Sequence, residues 1–122
     1  MDAQTAKYIV DQYFFLLPLI ERGPIQMTLA DFLTLSLNPD DPVATIVRDY
    51  PTKLYREYGW ISDDQDSSHM MKIGPDQFNI LVASKIKEKY ESEIFFNNCP
   101  KCGKLCRTAR AKQCRYCGHD WH

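Results

Sequence analysis

The sequence predicts a mainly α fold with one short β-hairpin, followed by a small C-terminal module braced by cysteines. Three observations carry this reading. Apolar residues recur at three- and four-residue steps through most of residues 1–98, the spacing that gathers them on one helix face. One polar stretch, Asp63-Asp64-Gln65-Asp66-Ser67-Ser68, separates two short apolar runs within residues 60–73 and reads as a hairpin tip. Residues 99–122 hold two Cys-x-x-Cys-Gly units and too few apolar residues to form a core. The chain therefore divides into a helical domain, 1–98, and a cysteine module, 99–122.

The first helix runs from Ala3 to about Glu21, with Ala6, Ile9, Val10, Tyr13, Leu17 and Ile20 as its stripe. Pro18 removes a helix hydrogen bond and is expected to kink or end it locally. Arg22-Gly23-Pro24 closes the element, and Ile25–Met27 reads as a short extended piece. Thr28 then caps a two-turn helix ending near Ser36, with Leu29, Phe32 and Leu33 inward and Asp31 completing a capping-box variant. After the turn Asn38-Pro39-Asp40, Asp41 caps a helix opened by Pro42. Val43, Ile46, Val47, Tyr50, Leu54, Tyr55 and Tyr58 form its apolar face; Pro51 is expected to break or kink it, and Gly59 ends it. Trp60–Ser62 and His69–Ile73 are the hairpin strands. Gly74-Pro75-Asp76 leads into a long helix to Phe95, striped by Phe78, Leu81, Val82, Ile86, Tyr90 and Ile94. No internal repeat or low-complexity segment stands out.

This order matches a winged-helix arrangement, with Pro42–Tyr58 as recognition helix and Ser62–His69 as wing tip. Arg48, Lys53, Tyr55 and Arg56 would then reach phosphates, although Asp49, Glu57 and the acidic tip oppose it. The aspartates of the tip lack the order and the distal glutamate of a calcium loop, so they read as a solvated turn.

Cys99 and Cys102 precede Gly103, and Cys114 and Cys117 precede Gly118. Each Cys-x-x-Cys turn delivers two sulfurs from one tight loop, and the glycine bends the chain away at positive φ. Two facing turns supply the four thiolates of a tetrahedral Zn²⁺ site. With four protein ligands that zinc is structural, leaving no open position for chemistry. The run resembles the short prokaryotic zinc-ribbon modules with rubredoxin-like knuckles, whose pattern is C-P-x-C-G, about ten residues, then C-x-x-C-G. The stretch Ala109–Arg115 with Cys117-Gly118-His119 is also similar to the zinc ribbon of a large-subunit ribosomal protein. The resemblance implies one Zn²⁺ and says little of function, since such ribbons serve RNA, DNA and protein partners alike. Cys106 reads as a small buried residue of the connecting loop, with Lys104 and Arg107 placed to lower its pKa if it is exposed. His119 is a candidate donor to a thiolate. Phe95, Phe96 and Trp121 are candidates to pack the two parts together.

The net charge of −1 hides an asymmetry. Residues 1–98 carry nine Lys and Arg against fifteen Asp and Glu, whereas residues 99–122 carry six against Asp120 alone. Lys101, Lys104, Arg107, Arg110, Lys112 and Arg115 thus form a candidate phosphate-binding surface, with Tyr116 and Trp121 placed to stack on bases. The acidic domain points instead to a protein partner, as in an adaptor or an antitoxin-like or immunity-like inhibitor. A third reading has the basic module pair with its own acidic domain for stability. No catalytic motif is present: no phosphate-cradling glycine loop, no H-E-x-x-H, no G-x-S-x-G. No small-molecule substrate is evident. The longest apolar run, Tyr13–Ile20, is too short to span a membrane, and the cysteine usage fits a reducing, cytoplasmic setting.

Overall fold

The computed structural model describes residues 1–34 and 48–121. Four helices stand out: α1 (Ala3–Tyr13), α2 (Leu19–Thr34), α3 (Asp49–Glu57) and α4 (Ser68–Tyr90). The expected Asn38-Pro39-Asp40 turn, the Asp41 cap and the start of the Pro42 helix lie outside the described residues.

The Asp2 side chain caps α1 by accepting from the Thr5 amide at 2.7 Å. Ala6, Ile9, Val10 and Tyr13 are buried, as the stripe predicts. The helix ends earlier than expected, at Tyr13, and a 3-10 turn (Phe14–Leu16) leads to Leu17 with extended backbone, ψ 142°. Pro18 is the cause, because its ring excludes helical geometry from the residue before it. Its carbonyl then opens α2 by accepting the amides of Glu21 and Arg22. The Arg22 guanidinium holds this corner by donating to the carbonyls of Phe15 and Leu17.

Arg22-Gly23-Pro24 does not close an element, and Ile25–Met27 is helical; all lie inside α2. Pro24 forfeits only one amide near the helix start, and its carbonyl is doubly satisfied. The Thr28 and Tyr55 hydroxyls both donate to it at 3.0 Å. Thr28 is therefore a mid-helix residue bonding back one turn and not a cap. The tertiary contact with Tyr55, 2% exposed, stabilises a helix that local sequence reads as broken. Pro51 likewise falls in the first turn of α3, where no amide is needed, and does not kink it. Gly59 ends α3 as expected, at φ +75°. The amides of Gly59 and Trp60 close a Schellman motif on the carbonyls of Arg56 and Tyr55.

The hairpin is not formed. Asp66 accepts from the Ser68 amide at 2.9 Å, and residues 68–73 are the first turns of α4. Short apolar runs such as Met70-Met71 do not distinguish strand from helix, and here a turn at Asp66, whose carbonyl accepts the His69 amide at 3.1 Å, leads straight into α4. With the hairpin goes the wing of the winged-helix reading. Three of its four phosphate-contact residues are also engaged elsewhere: Arg48 pairs with Asp31 at 2.7 and 2.8 Å, Arg56 donates to the Gln65 carbonyl, and Tyr55 is buried, while Lys53 is exposed. Gly74, at φ +86° and ψ 166°, breaks α4 into two pieces, the second opened by Pro75.

The core lies between α1 and α4, with α2 and α3 closing its side. Phe78, Val82, Ala83 and Ile86 of α4 are fully buried, as are Ala6 and Ile9 of α1. Phe32 of α2 meets Phe78 with ring centroids 5.6 Å apart. Burying Phe78 alone contributes about 3 kcal/mol. A second 3-10 turn (Glu91–Glu93) ends α4 and hands the chain to the cysteine module.

Candidate metal centre

The chain enters the module in extended conformation and is clamped to α1. The Tyr13 hydroxyl accepts the Phe95 amide at 2.9 Å, while the Tyr8 hydroxyl donates to the Phe95 carbonyl and accepts the Asn97 amide at 3.2 Å. The Tyr8 ring stacks on Phe96, with centroids 6.1 Å apart at 21°. Phe96 thus joins the two parts as expected. The Phe95 side chain does not, being 61% exposed, and Trp121 packs within the module against the cysteines.

The two knuckles are built alike. In the first, the Gly103 amide donates to the Cys99 carbonyl, the Cys99 amide to Lys104 and the Cys106 amide to Asn97. In the second, Gly118 donates to Cys114, Cys114 to His119 and Trp121 to Lys112. The antiparallel bridges Asn98–Leu105 and Gln113–Asp120 follow the same offset. The module therefore repeats one ten-residue unit at an offset of fifteen, with Cys106 in the place of Trp121. Gly103 and Gly118, at φ +78° and +76°, take a conformation that a side chain rarely adopts.

This geometry brings together all four predicted ligands. The sulfurs of Cys99, Cys102, Cys114 and Cys117 lie within 4.8 Å of one another. Across the knuckles, Cys99 and Cys117 are 3.7 Å apart and Cys102 and Cys114 3.5 Å. Tetrahedral Zn–S bonds of about 2.3 Å require S···S edges of about 3.8 Å. Both pairs are far beyond the roughly 2.05 Å of a disulfide. The Lys101 and Cys102 amides point at Cys99 Sγ, and the Tyr116 amide at Cys114 Sγ, each at 3.4 Å.

The electrostatics of the four thiols are in conflict. The Cys117 amide leads in holding the Cys114 thiol down, to about 6, despite its burial. Burial opposes ionisation of Cys99, but the amides of Cys102 and Lys101 bring it below the usual cysteine value. At Cys102 the Lys104 amide favours thiolate, yet desolvation and the neighbouring thiols push it up to about 11. A dication among the sulfurs removes this conflict by favouring thiolate at all four. Sulfur-only donors fit a soft or borderline ion and not Ca²⁺ or Mg²⁺. The four cysteines can hold a metal ion, and four protein ligands give it a structural role.

Cys106 is 1% exposed, and burial raises its pKa, so neither Lys104 nor Arg107 activates it. His119 makes no hydrogen bond to sulfur among the described residues; its ring lies along Trp121, with centroids 5.7 Å apart. Spacing gave no sign of Asn97, whose buried amide donates to the carbonyls of Thr108 and Ala111, both at 2.9 Å. Nor did it mark Gln12, which accepts the Ala109 amide from across the seam.

Lys101, Lys104, Arg107, Arg110, Lys112 and Arg115 are all exposed. Lys104 and Arg115, one from each knuckle, stand over the Tyr116 ring at 4.8 and 5.0 Å from its centroid. The Tyr116 hydroxyl bonds Gln4 of α1. The ring, 42% exposed, thus has a cation from each knuckle beside it. Among the described residues, no ion pair joins a cation of the module to the acidic domain. Comparison with protein-family models, with curated proteins and with solved structures finds no match to this chain.

Proposed function

We propose that this chain is a non-enzymatic protein in which Cys99, Cys102, Cys114 and Cys117 hold one structural Zn²⁺ and so present a basic zinc ribbon to nucleic acid. The observation that supports this is the disposition of charge. Lys101, Lys104, Arg107, Arg110, Lys112 and Arg115 are exposed, and none is neutralised by the acidic domain among the described residues. The module docks instead through neutral tyrosine and glutamine contacts, which leaves its cations to an external polyanion. With Lys104 and Arg115 beside the Tyr116 ring, contact is to phosphates more than to bases. Binding to single- and double-stranded RNA and DNA tests this at about 50 mM salt, rising to about 200 mM, where affinity must fall steeply. No binding to any of them at the lower salt refutes it. The working place of such a protein is the reducing cytoplasm.

A second reading, a protein-interaction module using the acidic domain, is favoured by one specific feature. Phe15, Leu19 and Ile20 at the α1–α2 corner are 61%, 78% and 52% exposed. Co-purification of a basic partner that survives nuclease, and is lost on Leu19→Asp, would select this reading.

A further inference from the structure

Where the α1–α2 corner, the end of α3 and α4 meet, Leu17, Glu21, Tyr58, Trp60, Lys85, Glu88 and Lys89 enclose a recess of about 170 Å³. That is well below the roughly 300–1,000 Å³ of sites for drug-sized ligands, and equals some five or six water volumes. Among its lining residues Glu21 is only 5% exposed. Its nearest cation is Lys89, at 3.5 Å and itself 54% exposed, beyond the roughly 2.7–2.9 Å of a charge-assisted hydrogen bond. A carboxylate so buried and so loosely paired has capacity for a better donor. Beside four charged residues, the lining has three apolar or aromatic ones: Leu17, Tyr58, and Trp60, whose ring is backed by Tyr55 at 5.6 Å. Lys85 leans over the indole at 5.9 Å. On α4 the three charged residues follow i, i+3, i+4 spacing and so share one face.

We infer that this recess binds a free α-amino acid. Its lining carries two carboxylates, Glu21 and Glu88, against two ammoniums, Lys85 and Lys89, a balance matched by a small zwitterion of no net charge. The ligand ammonium takes Glu21 and releases Lys89, which with Lys85 takes the ligand carboxylate. The side chain lies against Trp60, Tyr58 and Leu17. Each charged end replaces one half of the existing ion pair, so no buried charge is left unpaired. The site is remote in sequence from the cysteine module and does not depend on its nucleic-acid reading.

Isothermal titration of the zinc-loaded full chain with glycine, alanine, leucine and phenylalanine tests this, alongside leucinamide and N-acetylleucine, which each lack one charge. Saturable one-to-one binding is expected for at least one apolar amino acid, with both leucine derivatives weaker by about 10- to 100-fold. Glu21→Gln is expected to weaken binding by a similar factor while helical circular dichroism is unchanged. Should that variant fail to fold, Lys85→Met, at a more accessible wall position, is expected to weaken amino-acid binding about tenfold. The inference is overturned if none of the four amino acids binds at up to about 10 mM. It is equally overturned if both derivatives bind as well as leucine, or if the folded variants bind like wild type.

Discussion

Asn97 offers a sharp test of how the cysteine module is held in shape. Its side chain is 7% exposed and donates both amide hydrogens, to the carbonyls of Thr108 and Ala111 at 2.9 Å each. Those carbonyls belong to the loop between the knuckles, so one residue ties the loop to the strand that enters the first knuckle. Asn97→Ala removes two neutral hydrogen bonds of about 1 kcal/mol each, for a loss of about 2 kcal/mol. The module's own core is small, Cys99, Cys106 and Cys114 with Ala111 and Trp121, so its folding energy is read out largely as metal affinity. At 1.4 kcal/mol per decade, the variant should bind Zn²⁺ about 30-fold more weakly in chelator competition, with unchanged stoichiometry at saturation. Asn98→Ala, at an exposed neighbour, should stay within about twofold. If Asn97→Ala also stays within twofold, or Asn98→Ala falls as far, the loop is not held by these bonds.

Other expectations are independent of this one. Phe78→Ala should cost about 3–5 kcal/mol in denaturant unfolding, because the ring is fully buried between α1, α2 and α4. Gly23→Ala should stabilise by about 0.5 kcal/mol. Its added Cβ would meet the Tyr50 hydroxyl at 3.1 Å, and that side chain is half exposed and free to give way. Asp2 has its pKa lowered first by the Thr5 amide it caps, so its contribution is present above the unfolded value near 3.9. It is lost as pH falls through the lower folded value, and Asp2→Asn should flatten that part of the acid-unfolding profile. Chelating the metal should lower the melting temperature while leaving most helical dichroism, because none of the described residues 99–121 is helical.

How much of this was legible in the sequence depended on whether the controlling contacts were local. The knuckles were, since sulfur spacing and the following glycine fix each turn by themselves. Gly59 was also legible, because a left-handed helix stop needs little beyond glycine. Pro24 was not: it reads as a stop until Tyr55, 31 residues away, donates to its carbonyl. The hairpin failed for a related reason, since Asp66-Ser67-Ser68 serves equally as a hairpin tip or as the turn that leads into a helix. The repeat within the cysteine module left one faint trace, the paired Cys-x-x-Cys-Gly units. Its extent, from Asn97 to Cys106 and from Lys112 to Trp121, appears only in the amide pairing. Cys106 and Trp121, at equivalent places, are chemically unlike, yet both pack in the cluster formed with Cys99 and Cys114.

The way the module is attached sharpens what its charge is for. An acidic domain of net −6 beside a basic module invites the view that the two simply neutralise each other. The seam is otherwise made. Tyr8 and Tyr13 hold the Phe95 peptide, Gln12 takes Ala109, Gln4 takes Tyr116, and Phe96 stacks on Tyr8. These contacts are neutral, so raising salt should leave the docking intact, whereas contacts of the exposed cations with a phosphate backbone must weaken. A salt titration therefore separates the two roles that composition alone confounds. If the seam opens with salt, as seen by increased proteolysis or amide exchange near Phe95, the cations serve the fold. If only ligand binding is lost, they serve a partner.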